Sequence, residues 1–175
     1  DRGRQYVEYA VDGAKRMQVL ISDLLAFSRV GRVHDAYVRV DLGRPLEKAL
    51  FNLSASVEES QARIERPDDL PELTGDPTLL TMLWQNLVGN AIKFRHPDRT
   101  PVIRIECEKV EDESDGPQWH FCVTDNGIGI DSEYAEKVFV IFQRLHPRDD
   151  YQGTGIGLAL CKKIVEYHAG RIWID

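Results

Sequence analysis

Asn86, Asn90 and Lys93 stand at i, i+4 and i+7 in an otherwise apolar stretch, a spacing that gathers them on one face of a helix. One polar stripe on an apolar helix can line a ligand site. Its side chains can equally hold one another, because buried amides must be hydrogen-bonded and a structural network satisfies them as well as a ligand does. Two glycine clusters lie downstream: Asp125-Asn126-Gly127-Ile128-Gly129-Ile130 and Gly153-Thr154-Gly155-Ile156-Gly157-Leu158. Glycine lets backbone N–H groups come close to phosphate oxygens, and the second cluster runs into a predicted helix whose N-terminal dipole favours an anion. With these loops the balance for the polar stripe moves towards a phosphate-bearing ligand. The second cluster fits the dinucleotide pattern loosely and lacks an apolar strand before it, so a dinucleotide-binding fold is excluded.

The elements that must position these residues follow from periodicity. No proline interrupts residues 4–30, where Tyr6, Ala10, Gly13, Met17, Leu20, Leu24 and Phe27 alternate by fours and threes as a heptad seam. Val7, Ala14, Ile21 and Leu25 widen the stripe towards a multi-helix bundle; the alternative is an amphipathic helix lying on its own domain. A boundary is expected near residues 31–36. Residues 37–40 alternate as a short strand, Asp41 to Pro45 give a cap-and-proline start for a helix over 46–57, and residues 62–65 form another strand. Residues 67–77 are turn-rich, 78–94 form a long and mostly buried helix, and His96-Pro97-Asp98 stops it. Residues 102–110 and 119–124 predict an antiparallel hairpin, followed by two more helices and a final strand over 171–174.

Composition narrows the class. The 175 residues suffice for one ordinary domain plus an appendage, with 42% hydrophobic and 29% charged residues. A formal charge of −7 argues against a non-specific nucleic-acid binder, which needs cationic surface to displace phosphate counterions. No apolar run approaches the ~18 residues of a membrane span, and no signal-peptide core is present, so the chain reads as a cytoplasmic fragment without membrane contact of its own, from a parent either anchored or soluble. Cys107, Cys122 and Cys161 are far apart and odd in number, which suggests reduced, largely buried thiols.

Together these motifs resemble the bacterial sensor histidine kinases. Residues 86–94 are similar to that family's N box, 125–130 to its first glycine box, 139–144 to its F box and 153–158 to its second glycine box. Residues 17–29 resemble the second helix of the dimerisation and phosphotransfer domain. The wording from Phe142 to Pro147 resembles the PAS-linked or phytochrome-like subgroup. The resemblance implies an α+β fold: a two-layer α/β sandwich of the histidine-kinase, gyrase and Hsp90 ATPase type, preceded by one amphipathic bundle helix. It implies residues 1–32 as part of the dimerisation domain, 33–36 as linker and 37–175 as the catalytic ATP-binding domain. The family usually adds a glycine-containing turn and another strand after the position of Asp175.

The roles carried over are those of an Mg²⁺- and ATP-dependent phosphoryl transfer. Asp125 would accept a hydrogen bond from the adenine amine, Asn90 would offer its side-chain oxygen to Mg²⁺, and Lys93 and Arg144 would neutralise phosphate charge. Asn86, Lys93 and Arg144 are the implied catalytic positions. Asn86, Asn90, Lys93, Phe94, Asp125, Gly127, Gly129, Ile130, Arg144 and Gly153, Thr154, Gly155, Ile156, Gly157, Leu158 are the implied nucleotide contacts. Residues 143–152 would form a lid anchored by Phe139 and Phe142, two side chains that ordinary core packing would also explain. The implied partners are a second copy, through the helical bundle of the parent, and a response-regulator receiver domain. The family's phosphoacceptor histidine has no counterpart among His34, His96, His120, His146 and His168, each of which reads as a surface or hairpin residue.

Two rivals share the motifs. The ATPases of the same superfamily place a glutamate four residues before the metal-binding asparagine to activate water. Asn86 stands there, and an amide takes up no proton near neutral pH. The other is an interaction module that dimerises through residues 4–30 without turnover, which the intact nucleotide-contact positions disfavour.

Overall fold

The computed structural model describes residues 2–31, 37–112, 116–143 and 153–175, which form two compact units. The larger unit carries β1 (Val38–Asp41), α2 (Gly43–Asn52), α3 (Ser54–Ser60), β2 (Arg63–Glu65), β3 (Glu72–Gly75), α4 (Pro77–Lys93), β4 (Val102–Asp112) and β5 (Gly116–Asp125), ending in a 3-10 turn at Ser132–Tyr134. The other gathers α1 (Arg2–Arg29), a 3-10 turn at Lys137–Phe139 and α5 (Gly157–Tyr167).

In the larger unit a three-stranded sheet in the order β2-β4-β5 pairs parallel between β2 and β4 and antiparallel between β4 and β5. Alternation sends Ile103, Ile105, Phe121 and Val123 to one face, where Leu46 and Ala49 of α2 and Trp84, Val88, Ala91 and Ile92 of α4 close over them. This is the expected two-layer α/β arrangement. A smaller cluster of Val40, Leu42 and Leu80 lies under the β1–β3 ribbon. The β4–β5 register runs out with Ile103 opposite Asp125, so the carboxylate that opens the first glycine cluster stands at the end of a ladder.

Trp84 is 4% exposed, meets the Phe121 ring edge-on at 6.1 Å between centroids, and its Nε1–H has no acceptor among the described residues. A buried donor without a partner offsets part of what the indole's burial contributes. Trp84→Phe should therefore stay within about 1 kcal/mol of the parent, whereas Trp84→Ala should lose roughly 3–5 kcal/mol. Urea unfolding midpoints check the contrast.

Several expectations change. The helix expected over 46–57 is two helices, α2 and α3, with Leu53 (φ −96°, ψ 3°) as the joint. Asp41 does not cap α2 from the N-cap position, which is Leu42; its Oδ1 accepts from Gly43 N at 2.9 Å instead. The turn-rich stretch contains β3, paired antiparallel to β1 from Val38↔Gly75 to Asp41↔Glu72. After β5 the described residues hold two single-turn 3-10 segments and one α-helix, not two helices. Residues 171–174 form no strand, although their side chains alternate. Cys122 is exposed and Cys107 only partly buried, so Cys161 alone fits the buried-thiol reading; burial pushes its thiol up to about 12.

The helix α1 is exposed along most of its length. None of its residues is buried, and Tyr6, Val7, Met17, Ile21 and Leu25 are each more than half exposed. Its C-terminal end packs on α5. Among the described residues no helix is long and apolar enough to cross a membrane.

Candidate functional site

The helix α4 starts cleanly because Asp76 Oδ1 accepts from Thr78 N at 2.7 Å and Leu79 N at 3.1 Å, with Pro77 at the first helical position. Its buried stripe of Leu80, Trp84, Val88, Ala91 and Ile92 turns to the sheet. At 100° per residue Asn86, Asn90 and Lys93 fall on the opposite side, where all three are only partly exposed. Among the described residues no hydrogen bond joins the Asn86 and Asn90 side chains to each other. Asn86 Nδ2 donates back one turn to Met82 O at 2.8 Å, and the Asn90 amide makes no hydrogen bond there. The Lys93 ammonium lies 4.5 Å from the centre of the Phe94 ring.

The first glycine cluster is fastened to the end of this helix. Ile128 N donates to Phe94 O at 3.0 Å. Gly127 has to be glycine for space, since a Cβ there would overlap that carbonyl oxygen and stand 2.8 Å from Asp125 Oδ1. The loop's other side is held by Asn126, whose Oδ1 accepts from Val102 N at 2.8 Å while Nδ2 donates to Thr100 O at 3.0 Å. Asp125 Oδ1 accepts from Gly127 N at 2.8 Å, and its Oδ2 has no partner among the described residues. Gly129 sits at φ +74° and Ile130 is 39% exposed.

The polar stripe and the first glycine cluster therefore meet at Phe94. They bring an outward carboxylate oxygen, an uncommitted amide and an ammonium to one end of one helix. Such a set can accept from an amine, hold a hard cation through a neutral oxygen and neutralise an anion.

The second glycine cluster belongs to the other unit. Gly155 lies at φ +73° against the backbone of residues 142 and 143, where a Cβ would come within 2.9 Å of Gln143 O. Phe142 N donates to Gly155 O at 2.9 Å, and Phe142 itself takes a left-handed φ of +66° with 55% of its surface exposed. Core packing thus does not explain Phe142, whereas its neighbour Val138 is buried. Ile156 is buried, and α5 begins at Gly157 with no side-chain cap. Thr154 Oγ1 donates to Asp23 Oδ2 at 2.5 Å. Arg144 and the rest of the 144–152 segment lie outside the described residues, as do His34 and His146. Of the other histidines, His120 faces Glu108 across the hairpin at 3.3 Å, and His168 Nδ1 lies 2.7 Å from Ile164 O at the end of α5.

Sequence reasoning passed over two residues. Asn126 was grouped with its glycines, because its bonds to the backbone of Val102 and Thr100 are long-range and leave no local signal. No local signal marked Asp23.

The family model described as "Histidine kinase-, DNA gyrase B-, and HSP90-like ATPase" matches residues 75–175. Cyanobacterial phytochrome A of Nostoc sp. is 47% identical over 171 residues, covering 98% of this chain and 21% of that protein. Methanogenesis regulatory histidine kinase FilI of Methanothrix harundinacea is 32% identical over 160 residues, covering 91% of this chain and 17% of that protein. The chain thus spans about a fifth of the length of these two relatives. In fold it is similar to full-length ShkA, solved in complex with AMPPNP, with a TM-score of 0.75, 22% identity and coverage of 100% of this chain and 36% of that one. The chain belongs to the histidine kinase-, DNA gyrase B- and HSP90-like ATPase family, as an ATP-binding catalytic domain of the sensor-histidine-kinase kind.

Proposed function

We propose that the chain binds ATP with Mg²⁺ and delivers the γ-phosphoryl group to a histidine outside these 175 residues, for onward transfer to a response-regulator receiver domain. The observation that carries this reading is the outer face of α4, where the Asn90 amide, without a hydrogen bond among the described residues, and the Lys93 ammonium over the Phe94 ring run up to the loop that presents Asp125. Asp125 Oδ2 accepts from the adenine amine, and guanine, with a carbonyl there, would set two acceptors against each other at roughly 1–3 kcal/mol. Phe94, Gly127, Gly129 and Ile130 shape that pocket. Asn90 fits the metal: a neutral amide oxygen suits a hard cation that keeps most of its waters and arrives with the triphosphate. When bound, the ion supplies charge neutralisation for the phosphates. Lys93 and Arg144 add to it, and backbone N–H groups from Gly153 to Leu158 cradle phosphate oxygens.

Asn86 supports transfer over hydrolysis. It holds the place of a water-activating carboxylate, carries no base, and its Nδ2 is turned back onto Met82 O. On this reading residues 1–32 belong to the dimerisation domain and 37–175 to the catalytic domain. The bare apolar side chains of α1 then pack on further helices, those of a second copy included.

Incubation with radiolabelled ATP tests the assignment. The chain alone should bind ATP without labelling itself and without rapid phosphate release, because transfer needs an in-line nucleophile. Supplying the partner helix with its histidine should yield a label stable in base and lost in acid. Fast phosphate release, or stable labelling of one of the chain's own five histidines, would overturn the proposal.

A further inference from the structure

The second half of α1 is fastened to the second glycine cluster and α5 at Asp23 and Phe27. Thr154 Oγ1 donates to Asp23 Oδ2 at 2.5 Å, the length of a charge-assisted hydroxyl–carboxylate bond. One turn on, Lys163 Nζ donates to Phe27 O at 2.7 Å and stands 4.4 Å from the Phe27 ring centre. That carbonyl lies in the last turn of α1, where no helical N–H reaches it. Beyond, Val30 is buried, and Gly31 turns the chain at φ +82° beside the Tyr167 ring.

The first of these contacts conflicts with the cluster's proposed task. Thr154 has one hydroxyl proton, which goes either to the Asp23 carboxylate or to a phosphate oxygen. A carboxylate held 2.5 Å from that hydroxyl also repels any phosphate brought to it. The Lys163 contact carries no such conflict, so the opposition is localised in Asp23.

We propose that the Asp23–Thr154 hydrogen bond is a nucleotide-displaceable latch, in which docking of α1 on the second glycine cluster and phosphate contact at Thr154 are alternatives. Asp23 is thereby a positioning residue: it touches no substrate, but sets how readily Thr154 receives one. By linkage, whatever factor docking takes from nucleotide affinity, nucleotide takes from docking. The inference rests on the nucleotide reading above.

The test uses this chain and its Asp23→Ala, Asp23→Asn, Thr154→Val and Asp125→Asn variants. Two quantities are measured: the affinity for AMPPNP with Mg²⁺ by calorimetry, and amide hydrogen exchange across residues 20–29. Saturating AMPPNP should speed exchange there in the parent chain. Asp23→Ala should exchange fast without ligand, bind AMPPNP roughly five- to tenfold more tightly, and show no further change on binding. Asp23→Asn, which keeps an acceptor but no charge, should fall between. Thr154→Val should free the helix yet gain no affinity, a split that a merely structural contact would not produce. Unchanged or weaker binding by Asp23→Ala, or slower exchange in the parent on binding, overturns the latch. If the parent binds and Asp125→Asn weakens it, the nucleotide reading survives that failure. If the parent fails to bind, both fall.

Discussion

Gly127→Ala should abolish nucleotide binding, with a loss of at least about 100-fold, while Gly129→Ala should cost no more than roughly thirtyfold. The two glycines are two residues apart and face different constraints. At Gly127 the limit is space: a methyl group meets the Phe94 carbonyl oxygen and Asp125 Oδ1. The loop can admit it only by leaving α4, which breaks Ile128 N to Phe94 O and Gly127 N to Asp125 Oδ1 and turns the carboxylate away. Two such hydrogen bonds contribute about 0.5–1.5 kcal/mol each, and the lost orientation of Asp125 adds to them. At Gly129 a Cβ meets nothing within 4 Å, and the left-handed φ of +74° is the whole difficulty, about 1–2 kcal/mol for an L-residue. Calorimetric titration of both variants, with circular dichroism to show that the sheet and helices persist, checks the order. Equal losses, or the reverse order, would mean that the fastening at Phe94 does not shape the site.

Asn90→Ala should remove the Mg²⁺ dependence of ATP binding, changing metal-free affinity by no more than roughly twofold and leaving the chain as stable as before. The stability half of the prediction is what separates ligand from scaffold. An amide in a buried network would cost about 1–3 kcal/mol on truncation, because its partners would be left unsatisfied. Asn90 has no side-chain partner among the described residues, and alanine is the better helix former by several tenths of a kcal/mol. Denaturant unfolding beside titrations with and without Mg²⁺ decides it. A destabilised variant would return Asn90 to the structural reading, and a variant with full Mg²⁺ dependence would move the ion to another residue.

What could be read in advance was what local chemistry decides. The helix α4 announces itself as a long apolar stretch that His96-Pro97-Asp98 stops, and the β4–β5 hairpin through its alternation. The strand β3 did not, since its four residues are extended only because β1, more than thirty residues earlier, offers them a ladder. The break at Leu53 carries neither glycine nor proline, so tertiary packing sets it. Residues 171–174 show the converse, an alternation that does not become a strand. At the site, the face shared by Asn86, Asn90 and Lys93 was legible because helical spacing fixes it. The fastening at Phe94 and the pairing of Asp23 with Thr154 join residues 34 and 131 positions apart, distances over which no periodicity speaks.

The clamp on Asn126 also governs how the protein ages. Asn126 precedes glycine, the neighbour that least hinders a backbone nitrogen from attacking the side-chain amide to close a succinimide ring. That attack requires Gly127 N to swing towards the Asn126 amide carbon. In the folded loop Gly127 N is committed to Asp125, and the Asn126 amide is tied at one end to Val102 and at the other to Thr100. Ring closure therefore waits on local opening, and the rate of deamidation at this one position becomes a slow clock for how often the loop lets go. The carboxylate that replaces the amide has no N–H for the Thr100 carbonyl and leaves the loop looser than before.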